Sequence, residues 1–232
     1  MRQLLFYGIG VWLLFSASCI KNEQNSQVIT VISDFSDGKD GWQAGFSEYN
    51  GDNVEIYELE EGIAPLPPPL DESQSAYRIS GMNRSDDLFM YLTKRVQGLK
   101  PGVRYHGRFT LQLASDARSG GVGAGGAPGE SVGIGVGLTV DEPLSSPDEN
   151  NFYQMNIGKI QQCCTDGDDM VVIGDIANGT DDDVYTHIKR TGEFSAETDH
   201  LGVLWLVVGT DSGYEGRTTL YYSSIEVILE EY

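Results

Sequence analysis

Chemistry in this 232-residue chain could begin at Gly129-Glu130-Ser131-Val132-Gly133, which fits G-x-S-x-G. In hydrolases that pattern lifts a serine onto a tight strand-to-helix turn, with an aspartate and then a histidine later in the chain. Here His187 and His200 do follow Ser131. Residues 132–140, however, alternate apolar side chains with glycine and threonine, which is the period of a strand. A glycine loop entering a strand accounts for the match, and no catalytic residue is assigned. Glu130 and Glu215, both in glycine-bounded loops, stand as the alternative for glycoside hydrolysis, which needs two acids about 5–10 Å apart; Ser131 stands as the alternative nucleophile. The glycine run 120–129 holds no lysine and does not align with G-x-x-x-x-G-K-[ST], so it is not a phosphate loop.

The polar turn Asn83-Arg84-Ser85-Asp86-Asp87 lies between apolar strands. It offers a planar donor fork beside acceptors, a combination suited to sugar hydroxyls or a carboxylate. The plain alternative is an internal ion pair between Arg84 and an aspartate. Residues 155–161 read as another alternating strand, with Asn156 on one face and Lys159 and Gln161 on the other. Trp42, Tyr49 or Tyr214 could stack on a sugar, and each could equally be packing. The candidate ligand-binding residues are therefore Asn83, Arg84, Asp86, Asp87, Asn156, Lys159 and Trp42. Asp166, Asp168 and Asp169 form an oxygen-rich loop of the kind hard cations favour, so a structural calcium is considered. No EF-hand pattern is present, and aspartate in turns also serves its own backbone hydrogen bonds. No other cofactor is indicated. Cys163 and Cys164 are adjacent and His106, His187 and His200 are scattered, which gives no zinc-ligand spacing.

With 35 acids against 15 bases the formal net charge is −20. Such a chain repels phosphate backbones, which makes nucleic acid a poor partner. The N-terminus carries a different signal: Arg2, an apolar run over residues 4–15, then Ser16-Ala17-Ser18 before Cys19. The run is shorter than the roughly 20 apolar residues of a spanning helix. We read residues 1–18 as a cleavable export signal, 19–27 as a polar tether and 28–232 as one domain. Ser16 to Cys19 resembles a relaxed lipobox of Bacteroidetes-like lipoproteins, with serine where leucine is usual. That resemblance implies lipidation of Cys19, a lipid anchor as the only membrane contact, and an outer-membrane or cell-surface location. Ordinary secretion is the alternative, because Ser16 and Ser18 also suit a general signal peptidase.

The elements that must position these residues read as strands. Tyr105, Phe109, Leu111 and Leu113 share one face at period two; Val132, Ile134, Val136 and Leu138 repeat the pattern, as do Tyr221, Ile225, Val227 and Leu229. Residues 201–208 are apolar on both faces, which predicts a central strand with Trp205 in the core. Prolines at 65 and 67–69 cannot join a sheet interior. No helical stripe is sustained, and 29 glycines favour turns over helices. The prediction is an all-β, antiparallel two-sheet β-sandwich, jelly-roll-like, in a single domain.

The segment Gly98-Leu99-x-Pro-Gly-x-x-Tyr105 resembles the turn of galactose-binding-like and carbohydrate-binding-module-like jelly rolls, where it delivers an aromatic into the core. Residues 34–42 and 220–227 resemble the first and last strands of such modules. Three phrases, at 83–88, 126–131 and 209–216, resemble a family of secreted bacterial proteins with no assigned activity. The resemblance implies a sandwich and no substrate. The expectation is an exported, lipid-anchored, non-catalytic envelope protein that binds a glycan or other polar ligand through its loops. The alternatives are a secreted hydrolase and a structural or adhesion module.

Overall fold

The computed structural model describes residues 26–162 and 165–232. The export signal, Cys19 and most of the tether lie outside the described residues, as do Cys163 and Cys164. Fourteen strands follow in order: β1 Val28–Ser33, β2 Gln43–Ser47, β3 Tyr49–Asn50, β4 Glu60–Pro65, β5 Ser75–Met82, β6 Leu88–Gln97 and β7 Arg104–Ser115. The second half comprises β8 Val132–Thr139, β9 Ser145–Pro147, β10 Phe152–Met155, β11 Met170–Asp175, β12 Thr186–Glu197, β13 Val203–Ser212 and β14 Arg217–Glu231. Short 3₁₀ turns occupy Gly51–Tyr57.

One sheet has the order β12-β7-β14-β5-β4, with β1 also paired to β14; the facing sheet has the order β11-β8-β13-β6-β2. Every pairing is antiparallel. From β5 to β8, and again from β11 to β14, the chain crosses between sheets at each step. The fold is the expected all-β sandwich with jelly-roll-like alternation. The proline-bearing β4 lies at a sheet edge, where a missing ladder donor costs nothing.

The core sits between the sheets and joins Phe109, Leu111 and Leu113 to Ile134, Val136, Leu206 and Val208. Tyr105 is 0% exposed, and its hydroxyl accepts a bond from the Lys100 amide at 3.0 Å. The Pro-Gly turn thus delivers its aromatic inward as the resemblance implied. Each fully buried large side chain contributes about 1.5–3 kcal/mol of burial free energy.

Three expectations are corrected. Trp205 is half-exposed on the outer face of β13, because Leu204 and Leu206 take the inward positions at period two. Tyr221 also points away from the main core, where Tyr222 takes its place. A β-bulge between Tyr222 and Ser224 shifts the register of β14, so the alternation from Ile225 does not extrapolate back through Ser223. Residues 156–160 are not a strand. They cross the outer face of the second sheet, where Ile157, Ile160 and Met170 cover Phe89, Tyr91 and Val207.

Candidate functional site

The residues expected to bind ligand do not converge on one open surface. Asn83 is 1% exposed. Its Nδ2 donates to the carbonyls of Ser212 (2.7 Å) and Tyr214 (3.1 Å), and its Oδ1 accepts from the Ser85 amide at 3.1 Å. Both donors are spent on the β13–β14 loop. Arg84 and Asp86 are exposed at the turn, and Arg84 joins no ion pair among the described residues. The Asn156 side chain accepts from the Leu144 amide at 2.8 Å and donates to the Glu142 carbonyl at 2.9 Å, which ties down the loop before β9. Trp42 is 1% exposed in the core. Its Nε1 donates to Ser33 Oγ at 2.9 Å, and Ser33 in turn donates to Asp40. No face of that indole is free for a sugar.

Asp87 and Lys159 do meet, inside the molecule. Lys159 is 4% and Asp211 0% exposed. Lys159 Nζ lies 2.5 Å from Asp211 Oδ2, 3.9 Å from Asp87 Oδ1 and 4.0 Å from Glu48 Oε1. Burial, and then the adjoining Asp87 carboxyl, push Asp211 well above the usual carboxylate range despite the lysine. Burial likewise raises Glu48. The sequence carried one sign of this cluster: Asp211 is an acid inside a central strand.

Glu130, Ser131 and Glu215 come from two loops that the backbone docks together. The Gly213 amide donates to the Ser131 carbonyl and the Glu215 amide to the Ala124 carbonyl, both at 2.9 Å. Glu130 and Glu215 are exposed, and Glu130 Oε1 accepts from the Gly120 amide at 2.8 Å. Ser131 precedes β8 with no histidine bonded to it among the described residues; His106 bonds Ser195 instead. Asp166 Oδ1 accepts from the Val172 amide and Asp169 Oδ2 from the Gly158 amide, each at 2.8 Å. Asp168 is exposed beside them. Among the described residues no three acidic, histidine or cysteine side chains converge as a metal site.

The same docked loops wall a cleft of about 260 Å³ lined by Asp116, Arg118, Asp183, Tyr214, Arg217, Thr218 and Thr219, among others. The loops after β7, before β12 and after β13, with the start of β14, supply these residues. Tyr214 is half-buried. A β-carbon at Gly123 would fall 2.5 Å from its ring, and one at Gly216 would collide with it as well. Glycine at both places lets the ring lie against backbone. Arg118 Nε is 3.6 Å from Asp183 Oδ1, and Arg217 pairs with Glu58. Burial first, and then Asp183, raise the Asp116 carboxyl, which sits beside the Tyr185 hydroxyl. Of this cleft, sequence reasoning named only Tyr214 as a stacking ring; nothing local in the sequence links Asp116 to Arg217.

A larger groove of about 420 Å³ crosses the outer face of the first sheet at Arg108, Thr110, Glu193 and Glu226. Its guanidinium is already held by both oxygens of Glu230, at 2.7 and 3.0 Å. The loop-end cleft, by contrast, sets an aromatic ring, Tyr214, beside its charged groups.

The chain matches no family model and no curated protein sequence. Among solved structures it is similar to the enzymatically active domain of a tailspike protein of bacteriophage CBA120 (7% identity, TM-score 0.37), over 80% of this chain and 19% of that one. It thus spans about a fifth of that tailspike chain. It is also similar to a Stig cyclase of Fischerella sp. TAU (15% identity, TM-score 0.39), over 88% and 89% of the two chains. A family 16 carbohydrate-binding module is similar at 15% identity and TM-score 0.35, over 83% and 94%. At such scores the likeness assigns no ligand, and the fold rests on the chain's own strand pairing.

Proposed function

We propose that this is an exported, Cys19-anchored envelope protein whose sandwich binds a glycan non-catalytically in the loop-end cleft. The observation that carries the reading is Tyr214. Its half-buried ring is seated on Gly123 and Gly216 beside two guanidinium groups and two carboxyl groups. Sugars are recognised by such mixtures, an apolar face for the ring and planar polar groups for the hydroxyls. The direction of β14 supports the rest. Its start, Arg217, borders the cleft, while Glu230 near its end pairs with Val28, where the tether enters. Within this strand, at about 3.3 Å per residue, the two lie roughly 40–45 Å apart. An anchor at residue 19 would hold the cleft away from the membrane.

A glycan array of the processed chain, followed by calorimetry on the best hit, tests this. Tyr214→Ala should weaken binding about tenfold, the equivalent of 1.4 kcal/mol, while Arg84→Ala leaves it unchanged. Binding indifferent to Tyr214→Ala would refute the site. Palmitate labelling that survives Cys19→Ala would refute the anchor. The raised Asp116 beside Asp183 favours a second reading as a carboxylate-pair hydrolase. Turnover of an array glycan that Asp116→Asn abolishes would establish it instead.

A further inference from the structure

We infer that Lys159 and Asp211 are joined by an intramolecular amide bond between Lys159 Nζ and Asp211 Cγ, formed within the folded chain with Asp87 and Glu48 as the proton-transferring carboxyls. The inference is independent of the glycan cleft. Four observations carry it. Nζ lies 2.5 Å from Oδ2, an atom bonded to the carbon it would attack. Both side chains are almost wholly shielded from water, and Phe89 lies under the lysine with its ring centroid 5.3 Å from Nζ. Asp87 Oδ1 and Asp211 Oδ1 are both buried without a hydrogen-bond partner, so a proton between these carboxyls has a place to sit. Two further carboxyls stand within 4.0 Å of the same nitrogen.

The chemistry follows from desolvation. An isolated ammonium–carboxylate pair taken out of water is costly, and burial favours the neutral amine and neutral acid. The raised state of Asp211 agrees with that direction. Proton transfer from Nζ to the Asp211 carboxylate gives the free amine and the carboxylic acid. The amine lone pair attacks Cγ, and a second proton leaves nitrogen for a neighbouring carboxylate. That proton passes to the departing hydroxyl, the C–O bond breaks and one water leaves. Ammonium and carboxylate are replaced by an amide, net charge is unchanged, and no oxidant or activating group is required. Holding the reactants in contact supplies what a dilute amine and acid lack, because effective molarities of about 10⁵–10⁸ M are reached by well-oriented groups. The product would fasten the segment over the second sheet to its central strand, β13, closing a loop of 52 residues' separation.

Peptide mapping of the full chain, purified unheated and fully reduced, decides the question. Trypsin does not cut after an acylated lysine. The bond predicts residues 119–189 uncut at Lys159 and covalently joined to residues 191–217, at one water below their summed mass. A succinimide at Asp37-Gly38 or Asp166-Gly167 also loses a water but leaves the peptides separate. Lys159→Arg keeps the positive charge and should abolish the joined species. Glu48→Gln or Asp87→Asn should reduce it at least tenfold in a chain that still gives the wild-type circular-dichroism spectrum. Complete cleavage after Lys159 in the wild-type chain, with 191–217 recovered free, would overturn the bond and leave an ordinary buried ion pair. A joined species undiminished in both carboxyl variants would overturn their role.

Discussion

Asn83 and Tyr214 sit on either side of the functional argument, one as the support and the other as the surface. The amide of Asn83 is consumed by the carbonyls of Ser212 and Tyr214, which fixes the backbone from which the Tyr214 ring projects. Asn83→Ala removes the side-chain donor to the Ser212 carbonyl and one of two donors to the Tyr214 carbonyl, which keeps the Ser212 hydroxyl at 2.9 Å. A loss of about 1–2 kcal/mol follows from the usual cost of a buried group losing its partner. Urea denaturation should show that loss; a change under about 0.5 kcal/mol would mean that the loop is held some other way. Asp116 gives a pH signature. Its folded pKa is raised, first by burial, so its contribution to stability is complete below the ordinary carboxylate range and is lost as pH rises through the elevated value. Asp116→Asn cannot ionise. Its melting temperature should match wild type near about pH 4 and exceed it by about pH 7; parallel curves would contradict the assignment. At this scale the sequence disclosed residue types but not duties. Asn83 and Trp42 had chemistry suited to a ligand, yet tertiary partners from 129 and 9 residues away claimed it.

Strands β7 and β8 lie where period two placed them, because alternation reports which face is buried and that needs no knowledge of partners. The alternation in β8 has a second meaning that sequence could not give. Gly135 and Gly137 face the crossing segment, not solvent. A β-carbon on Gly135 would meet Ile160 Cγ2 at 2.7 Å and the Val171 carbonyl at 2.9 Å. Gly135→Val should therefore lift that segment from the sheet and cost about 2–3 kcal/mol by overpacking. Urea denaturation would show the loss and dye binding the exposed Phe89 and Tyr91; unchanged stability would contradict the contact. The same crossing explains why residues 156–160 failed as a strand. Their apolar positions, Ile157 and Ile160, are three apart because they answer to a sheet beneath them. The bulge in β14 hid Tyr222 for a related reason: one inserted residue reverses a periodic reading and leaves no compositional trace.

Across the whole molecule, the two sheets and the alternating connections were legible, since both follow from many short strands seeking one core. Which surface stayed open was not. Ile157, Ile160 and Met170 cover part of one outer face, and Arg108 is paired with Glu230 on the other. The cleft is left at the end of the sandwich remote from β1, assembled from loops well separated in the chain, such as those that bring Arg118 to Asp183. Hydrogen–deuterium exchange of the processed chain, with and without its best array glycan, probes that arrangement directly. Protection confined to residues 116–128, 176–183 and 213–219 is the result expected. Protection over the outer strands β7 and β12, or none at saturating glycan, would contradict recognition at the loop end.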